Sequence, residues 1–597
     1  MTNSELLSLY NECRFLEIIE LCESYQDNIA CLQDSFILLD SYLETSDLSK
    51  SKDLISQIQN ENLSSEDQAK VQFFSYKLLF MQGLIQQAAT ELSSLLNSLE
   101  PFTDPIPEFE YKFFYCLVLY YKNDKVTFKN ILDEFETKNY QNKLFLLQIA
   151  LLRCYYLSLT SNYSKVIDLI EKEITNPLLL SRALERARFF HILGWMHFRT
   201  ENITKAIDYA LKSEAIAQSY HFYFLLSEIL TSLTSSNMYR GDFRSAEKYC
   251  LQGIELCKNI GNNFDLGRHH GNLANIYAFE GKYSKAIDHY LQTYEYFGSL
   301  GYEKFVSFTL NNIANIYKIQ GNFQQAKSNY LESLQKMLPF NDQLSNANRY
   351  KNLGDICYRL QELQESNDYF LQAYVLYKQI DNKYQILSTL YHLLIVQNDL
   401  GISVSSNPLL DGKEKYVNEL PVIEAKYLQI RSLMFQDQGN FEKAISLLQE
   451  ANNKAGVEFE DKMLNYENIM YCKLLQLRSI SKLSLELVQE SGIPSLLSTM
   501  EKIANDKHMY PDLCKIYILM YKFSHLVNDS QRTQKYIDLA LKITKDHDMK
   551  IYTNEITRDQ VKINEQDNHT NLQKQNDLLN EMTEYVQSIG IQLNKKS

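Results

Sequence analysis

Glycine and proline are scarce in this chain. Its 597 residues include only 18 glycines and 9 prolines, whereas an average chain has roughly 7% of the first and roughly 5% of the second. Proteins built from β-sheets need many turns, and turns need these two residues. The hydrophobic fraction of 45% is also too high for a disordered chain. The composition therefore predicts a folded and almost wholly helical protein.

Long apolar runs and basic runs are absent as well. The closest approach to a membrane span, "YKFFYCLVLYY" at 111–121, is too short and contains Lys112. The first residues lack the apolar segment of a signal peptide. No run of five or more lysines and arginines occurs, and a net charge of −14 repels nucleic acid. We therefore expect a cytoplasmic protein with no membrane and no nucleic-acid partner.

The common catalytic motifs are missing too. The sequence has no GxxxxGK[ST] or GxGxxG phosphate loop, no HExxH and no GxSxG. Its ten cysteines form no CxxC pair, and no histidines lie near them at zinc-site spacing. We predict that the protein is not an enzyme, that it has no cofactor and no metal, and that the cysteines are buried thiols.

A six-residue turn pattern returns every 40 residues. It begins at 161, 201, 241, 281, 321 and 361, and its clearest forms are "GKYSKA" and "GNFQQA". Apolar residues at i, i+3 and i+4 on both sides of the turn predict two amphipathic helices. Such a hairpin cannot bury its apolar face alone. The pattern therefore predicts an all-α fold, an α-solenoid of stacked antiparallel helical hairpins.

These units resemble the tetratricopeptide repeat in the extended 40-residue form of kinesin-light-chain-like proteins, LGN-type scaffolds and bacterial peptide-sensing regulators. Ala274, Gly281 and Ala286 stand at the small, turn and second small positions of that motif, whereas Thr293 and Ser333 replace a usual alanine. The resemblance implies a right-handed superhelix. It also implies that the first helix of each hairpin lines a concave groove that binds a partner protein.

The pattern weakens on both sides of the regular array. "EPFTDPIPEFE" at 100–110, with three prolines, predicts an inter-repeat loop. We predict degenerate hairpins over 1–107, the main array over 108–400, a loop insertion over 401–421, further degenerate hairpins over 422–555, and a C-terminal helix over 556–597.

The C-terminal segment has apolar residues seven apart, at Leu572, Leu579, Val586 and Leu593. This spacing predicts either a helix that caps the last hairpin or a coiled coil that makes a homodimer. Gly590 weakens the coiled-coil interpretation, because glycine lowers helix stability.

Asparagines recur on the first helices, although asparagine competes with the helix for backbone hydrogen bonds. Asn272, Asn312 and Asn352 are 40 residues apart, as are Asn275 and Asn315. An amide both donates and accepts, so a row of amides can pair with an extended peptide backbone; alternatively, the amides only bridge helices or cap turns. The predicted peptide-binding groove comprises Arg268, Asn272, Asn275, Asn311, Asn312, Asn315, Lys318, Asn352, Asp355 and Tyr358.

The sequence thus predicts a non-enzymatic scaffold or adaptor that binds a peptide or helical segment of a partner protein. The alternative is a peptide-responsive signalling regulator whose superhelix changes shape on ligand binding. A second candidate surface combines Arg182, Arg186 and Arg188 with His191, Trp195 and His197, and could bind an acidic partner. The alternative is that Trp195 packs in the groove wall and that the arginines pair with Glu185 and its neighbours.

Overall fold

The structure is a computed structural model that describes residues 3–12, 14–24, 32–99, 105–138, 140–412, 420–454, 456–479, 485–506, 509–547, 549–566 and 572–589. Over these residues it contains 31 α-helices, three short 3₁₀ turns and no strand. The prediction of an all-α solenoid of helical hairpins is confirmed. No helix in the described ranges is long and apolar enough to cross a membrane.

The chain divides into two compact units, and consecutive helices pack against each other within each. The first unit is Met1–Ile276 with Leu291–Gly301, and the second is Tyr277–Tyr290 with Tyr302–Ser597. The first contains α1 (Asn3–Asn11), α2 (Phe15–Ser24), α3 (Leu32–Glu44), α4 (Leu48–Gln59), α5 (Ser65–Met81), α6 (Ile85–Ser98), α7 (Pro105–Lys122), α8 (Lys125–Thr137), α9 (Lys143–Leu159), α10 (Tyr163–Glu173), α11 (Pro177–Ser181), α12 (Ala183–Arg199), α13 (Ile203–Ser219), α14 (Tyr223–Arg240) and α15 (Phe243–Ile260).

The unit boundary falls within α16 (Asn263–Phe279) and α17 (Tyr283–Ser299). The second unit continues with α18 (Glu303–Ile319), α19 (Phe323–Met337), α20 (Gln343–Arg359), α21 (Leu363–Gln379), α22 (Lys383–Asp399), α23 (Pro421–Asp437), α24 (Phe441–Asn452), α25 (Phe459–Arg478), α26 (Leu485–Glu490), α27 (Ile493–Asp506), α28 (Tyr510–Leu526), α29 (Ser530–Asp546), α30 (Lys550–Gln566) and α31 (Leu572–Ile589).

Left-handed residues separate the helices of the regular array. The predicted turns begin at a residue with positive φ, which is 71° at Gly281 and 61° at Glu201. This conformation ends one helix and allows the next to begin. A helix of 17 residues and a three-residue turn, taken twice, therefore produce the 40-residue period. Positive φ recurs midway between the predicted turns, at His221, Gly261, Gly301, Asn341 and Asp381.

Small residues let the two helices of a hairpin approach closely. A Cβ atom on Gly354 would lie 2.7 Å from the Phe370 ring, and one on Gly194 would lie 3.0 Å from the carbonyl oxygen of Ala206. The small residues of the turn pattern are accordingly buried, namely Ala206, Ala246, Ala286, Ala326 and Ser366. The periodic small positions are thus the contact points within the hairpins.

Ser333 and Thr293, which replace the usual alanine of the repeat, bond to the neighbouring helix. In the second unit, Ser333 Oγ donates to the carbonyl oxygen of Ser307 at 2.7 Å, and Ser307 Oγ donates back to that of Ser333 at 2.6 Å. In the first unit, Thr293 Oγ1 donates to the carbonyl oxygen of Gly267 at 3.3 Å. These bonds join helices and keep a buried hydroxyl satisfied.

The irregular segments differ in part from expectation. The predicted loop at 100–110 is shorter, because α7 already begins at Pro105, and proline is well accommodated in a first helical turn. Within 401–421, the described residues form two 3₁₀ turns, Val404–Ser406 and Pro408–Leu410, before α23 begins at Pro421.

The C-terminal helix α31 packs on α25 and α28 in the second unit. It buries Leu579, Met582 and Val586 there. Gly590, Leu593 and the side chain of Leu572 lie outside the described residues. The described part of the apolar stripe is covered within the chain, as a capping helix requires, and the homodimer stays a prediction.

Two turn glycines of the second unit give a matched test of the hairpin geometry. Gly401→Ala should destabilise the unit by about 1 kcal/mol, because alanine resists positive φ while its Cβ would meet nothing within 4 Å. Gly281→Ala should cost more, because its Cβ would lie 2.3 Å from the His547 ring and 2.7 Å from that of Tyr510.

Thermal and urea unfolding of the two variants measures the difference. Equal losses of stability would contradict the close packing of His547 against the turn at Gly281.

Candidate functional site

The predicted groove residues of the first unit lie on α16. Arg268 Nη1 donates to Asp265 Oδ1 at 2.9 Å, and the other oxygen of that carboxylate accepts from Ser227 Oγ at 2.9 Å. Arg268 is therefore neutralised by a buried partner. Asn272 is partly buried, and its amide makes no hydrogen bond with the described residues. Asn275 lies one turn further along the same helix and is also partly buried.

The predicted amides of the second unit lie on α18 and α20 and are tied to their neighbours. Asn352 Nδ2 donates to Asn311 Oδ1 at 3.0 Å, which links the two first helices. Asn312 hydrogen-bonds with the hydroxyl of Tyr290. The Tyr330 hydroxyl donates to Asn315 Oδ1 at 2.6 Å. Bridging between helices, the alternative role for these amides, is therefore present in the structure.

The bridges leave part of each amide available. Asn311 and Asn315 use their oxygens in the bonds above, and within the described residues their Nδ2 groups have no partner. Asn352 uses its nitrogen, and its Oδ1 has no partner among the same residues. The three side chains are all partly exposed. The internal bonds thus orient these amides and leave donors and an acceptor unused.

Lys318 and Asp355 form an ion pair between α18 and α20. Lys318 Nζ lies 3.2 Å from Asp355 Oδ2, and Arg359 Nε donates to Asp355 Oδ1 at 3.2 Å. Burial raises the pKa of Asp355, but the charges of Arg359 and Lys318 outweigh it and hold the pKa well below its usual range. The carboxylate stays ionised and is shared by two cations, so the three-residue cluster keeps a net positive charge.

Tyr358 is buried, whereas its sequence position predicts a side chain exposed in the groove. The residue is only 7% exposed, and its hydroxyl donates to Asp399 Oδ2 at 2.8 Å. Its ring belongs to the buried core that also contains Tyr391. In the structure it therefore acts mainly in packing.

Second-helix tyrosines are the residues that sequence reasoning missed. Tyr290 and Tyr330 hold first-helix amides and are themselves 40 residues apart. A third, Tyr377, donates to Asn348 Oδ1 at 2.6 Å. The 40-residue spacing of Tyr290 and Tyr330 was a usable signal, because it matches that of the asparagines.

Two cations beside the amides differ in environment. Arg349 is 2% exposed, and its Nε donates to Ser333 Oγ at 2.8 Å, so it packs between helices. Lys351 lies on the amide side, where Nζ donates to Gln385 Oε1 at 3.0 Å and Ser388 Oγ at 2.9 Å. Burial, reinforced by neighbouring positive charge, lowers the pKa of Lys351 to about 8. Lys351 is thus a cation held by neutral acceptors.

One group of possible metal ligands occurs among the described residues, at Cys357, Glu362 and Glu365. Lys327 Nζ already donates to Glu362 at 2.6 Å and to Glu365 at 2.7 Å. Burial raises the pKa of Cys357 to about 12, so it is a neutral thiol. The group is therefore a salt-bridge cluster, in which Lys327 lies between the carboxylates of Glu362 and Glu365.

The second candidate surface, on α12, is dispersed. Arg182 Nε lies 3.4 Å from Glu185 Oε2, and Arg186 Nη1 donates to the carbonyl oxygen of Leu180 at 2.7 Å. Trp195 stacks on Phe198 with ring centroids 5.0 Å apart. Arg182 and Arg186 are therefore each held by a neighbouring group of the chain, as the packing alternative requires.

His392 on α22 adds a pH-dependent element to the second unit. Its Nδ1 lies 2.7 Å from the carbonyl oxygen of Ser388. Burial, followed by the charge of Lys351, lowers the pKa of His392 to about 4. Its ring stacks on Phe370 at 5.6 Å.

Because the folded pKa of His392 lies below its unfolded value of about 6.5, only the unfolded state takes up a proton between those values. The free energy of unfolding should therefore fall as pH drops from about 6.5 to about 4. His392→Gln should reduce this loss by about 2 kcal/mol between pH 7 and pH 4.5. Melting curves at pH 4.5 and 7 measure it, and an unchanged pH dependence in the variant would contradict the neutral histidine.

Comparison with known proteins identifies the repeat. Residues 270–295 and 305–379 match family models described as tetratricopeptide repeat. A search of curated proteins finds no match.

Similar solved structures include the apo form of the quorum sensor NprR from B. thuringiensis (18% identity, 58% of this chain and 99% of that chain, TM-score 0.42). A second is the aspartyl phosphate phosphatase F from Bacillus subtilis (15% identity, 60% of this chain and 98% of that chain, TM-score 0.38). A third is a signal transduction ATPase with a tetratricopeptide repeat sensor from Pyrococcus horikoshii (13% identity, 77% of this chain and 72% of that chain, TM-score 0.37).

Proposed function

We propose that the chain, whose residues 270–295 and 305–379 match tetratricopeptide repeat models, binds an extended peptide segment of a partner protein. The proposed surface is the row of partly exposed amides on α18 and α20 of the second unit. Arg268, Asn272 and Asn275 stay a separate prediction for the first unit.

The unused atoms of the bridged amides carry this proposal. Asn311 and Asn315 each keep an Nδ2 group without a partner among the described residues, and Asn352 keeps its Oδ1. An extended peptide presents alternating N–H and C=O groups, which are the complements of these atoms. Because the amides are already oriented by internal bonds, a ligand would not have to immobilise them.

The charges beside the amides suggest which peptides bind best. Lys318 and Arg359 share the one carboxylate of Asp355, so this cluster gives no preference for a basic peptide. Lys351 has only neutral acceptors, and it is cationic below a pKa of about 8. An acidic side chain beside the amide-bound backbone would give it the counter-charge that it lacks. We therefore expect acidic residues to be enriched among the ligands.

The test begins with selection of phage-displayed random heptapeptides on the purified full-length chain. The affinity of a selected peptide is then measured by titration calorimetry for Asn315→Ala and Tyr330→Phe. Both variants lose the 2.6 Å bond between these residues and should lose about 1 kcal/mol of stability. Only Asn315→Ala also loses the ligand donor, so it should bind at least about tenfold more weakly than Tyr330→Phe.

Backbone N-methylation of the peptide at alternate residues supplies the complementary test. It removes the peptide N–H that would donate to Asn352 Oδ1 without changing side chains, and it should weaken binding about tenfold in one of the two alternation phases. Equal affinities of the two protein variants, or peptides that bind regardless of N-methylation, would contradict the proposal.

A further inference from the structure

The face of α18 and α20 that carries the amide row is apolar at its N-terminal end. Phe305 and Phe308 of α18 are 39% and 40% exposed, and Leu344 of α20 is 46% exposed. Phe308 lies one helical turn before Asn312, and Leu344 lies one turn before Asn348. Because residues three and four apart lie on the same side of a helix, these three side chains, the apolar layer, are on the face of the amides.

Contacts between α18 and α20 bring together the ends that carry the apolar layer. Lys304 Nζ lies 3.0 Å from Asp342 Oδ2, which comes just before α20. Arg349 Nε donates to Ser307 Oγ at 3.1 Å, and its guanidinium group lies 5.1 Å from the centre of the Phe308 ring. Isolated exposed apolar residues are common, whereas a group of them beside polar residues marks an interaction site.

The C-terminal end of the same face is cationic. Lys318 and Arg359 share the carboxylate of Asp355, and another acid whose charge acts on Arg359 is Glu467. Burial raises the pKa of Glu467 to about 7, so at neutral pH it compensates only part of the remaining positive charge. On both helices, therefore, the face runs from apolar to amide to cationic side chains.

An extended peptide along α18 and α20 would meet these three surfaces in turn. Lys318 comes ten residues after Phe308, which is about 15 Å along a helix. An extended chain covers about 3.3 Å per residue, so this distance takes about four or five peptide residues. Peptide groups two residues apart are separated by about 6.6 Å, close to the rise of about 6 Å from Asn311 to Asn315.

This spacing defines the ligand further, on the basis of the peptide binding proposed above. We infer that the bound segment has a large apolar side chain at one end and an acidic side chain four or five residues away. The apolar layer covers the first, because burial of apolar surface lowers the free energy, and Lys318 and Arg359 pair with the second. A basic side chain at that end would face two cations that share one carboxylate.

The probes are two fluorescein-labelled heptapeptides, Phe-Leu-Ser-Thr-Ser-Glu-Glu and its reverse, since a peptide can run in either direction. The controls are Phe-Glu-Leu-Glu-Ser-Thr-Ser and its reverse, which have the same composition with the apolar and acidic residues at one end. Fluorescence anisotropy with the full-length chain measures the affinities. One probe should bind at least about tenfold more tightly than both controls, and replacement of its glutamates by lysine should abolish binding.

Leu344→Ser tests the apolar layer, and Leu331→Ser is its matched control. Leu331 is 38% exposed and lies on the second helix α19, outside the face of α18 and α20. Leu344→Ser should weaken binding of the tighter probe about tenfold, whereas Leu331→Ser should leave it unchanged. Because both side chains are already partly exposed, both variants should keep the melting temperature.

Asn315→Ala separates this inference from the peptide binding on which it rests. If Asn315→Ala weakens binding of the probe and Leu344→Ser does not, the inference is overturned and peptide binding by the amides stands. If neither variant weakens binding, both are overturned. A probe that binds no more tightly than its controls also overturns the inference. Dimerisation of the unliganded chain that Leu344→Ser abolishes in sedimentation velocity would assign the apolar layer to a second copy instead.

Discussion

A helical hairpin of this chain cannot bury its own apolar face, and the rest of the structure depends on that constraint. The two helices of a hairpin approach closely only where small residues allow it, as at Gly354 against the Phe370 ring. The neighbouring hairpin must then cover what remains. Helix length, turn and small positions consequently repeat together. The first-helix face that packing does not use is left to carry polar side chains.

The recurring asparagines follow from this division of the helix surface. On a packing face an amide would be buried at a cost, and on an open face it would only lower helix stability. In the second unit the amides occupy the edge between the two, where Tyr330 orients Asn315 and Asn352 joins Asn311. Each of these bridges uses either the oxygen or the NH₂ group of an amide and leaves the other without a partner among the described residues. The bridging and peptide-binding interpretations are therefore compatible.

The fold could be predicted from the sequence because its signal repeats. Gly281, Gly321 and their equivalents mark turns whose positive φ the structure confirms. The site was predicted less completely, because helical position alone does not tell whether a side chain is committed to a neighbour. Tyr358 has the helical position of a groove residue. The burial of its ring in the core and its bond to Asp399 depend on tertiary packing.

A crystal structure of the chain with a selected peptide tests the central claim most directly. The account predicts an extended peptide along α18 and α20, with backbone carbonyl groups that accept from Nδ2 of Asn311 and Asn315. The internal bonds from Tyr330 and Asn352 should remain in place. A peptide bound elsewhere, or one that contacts these helices through side chains alone, would contradict the account.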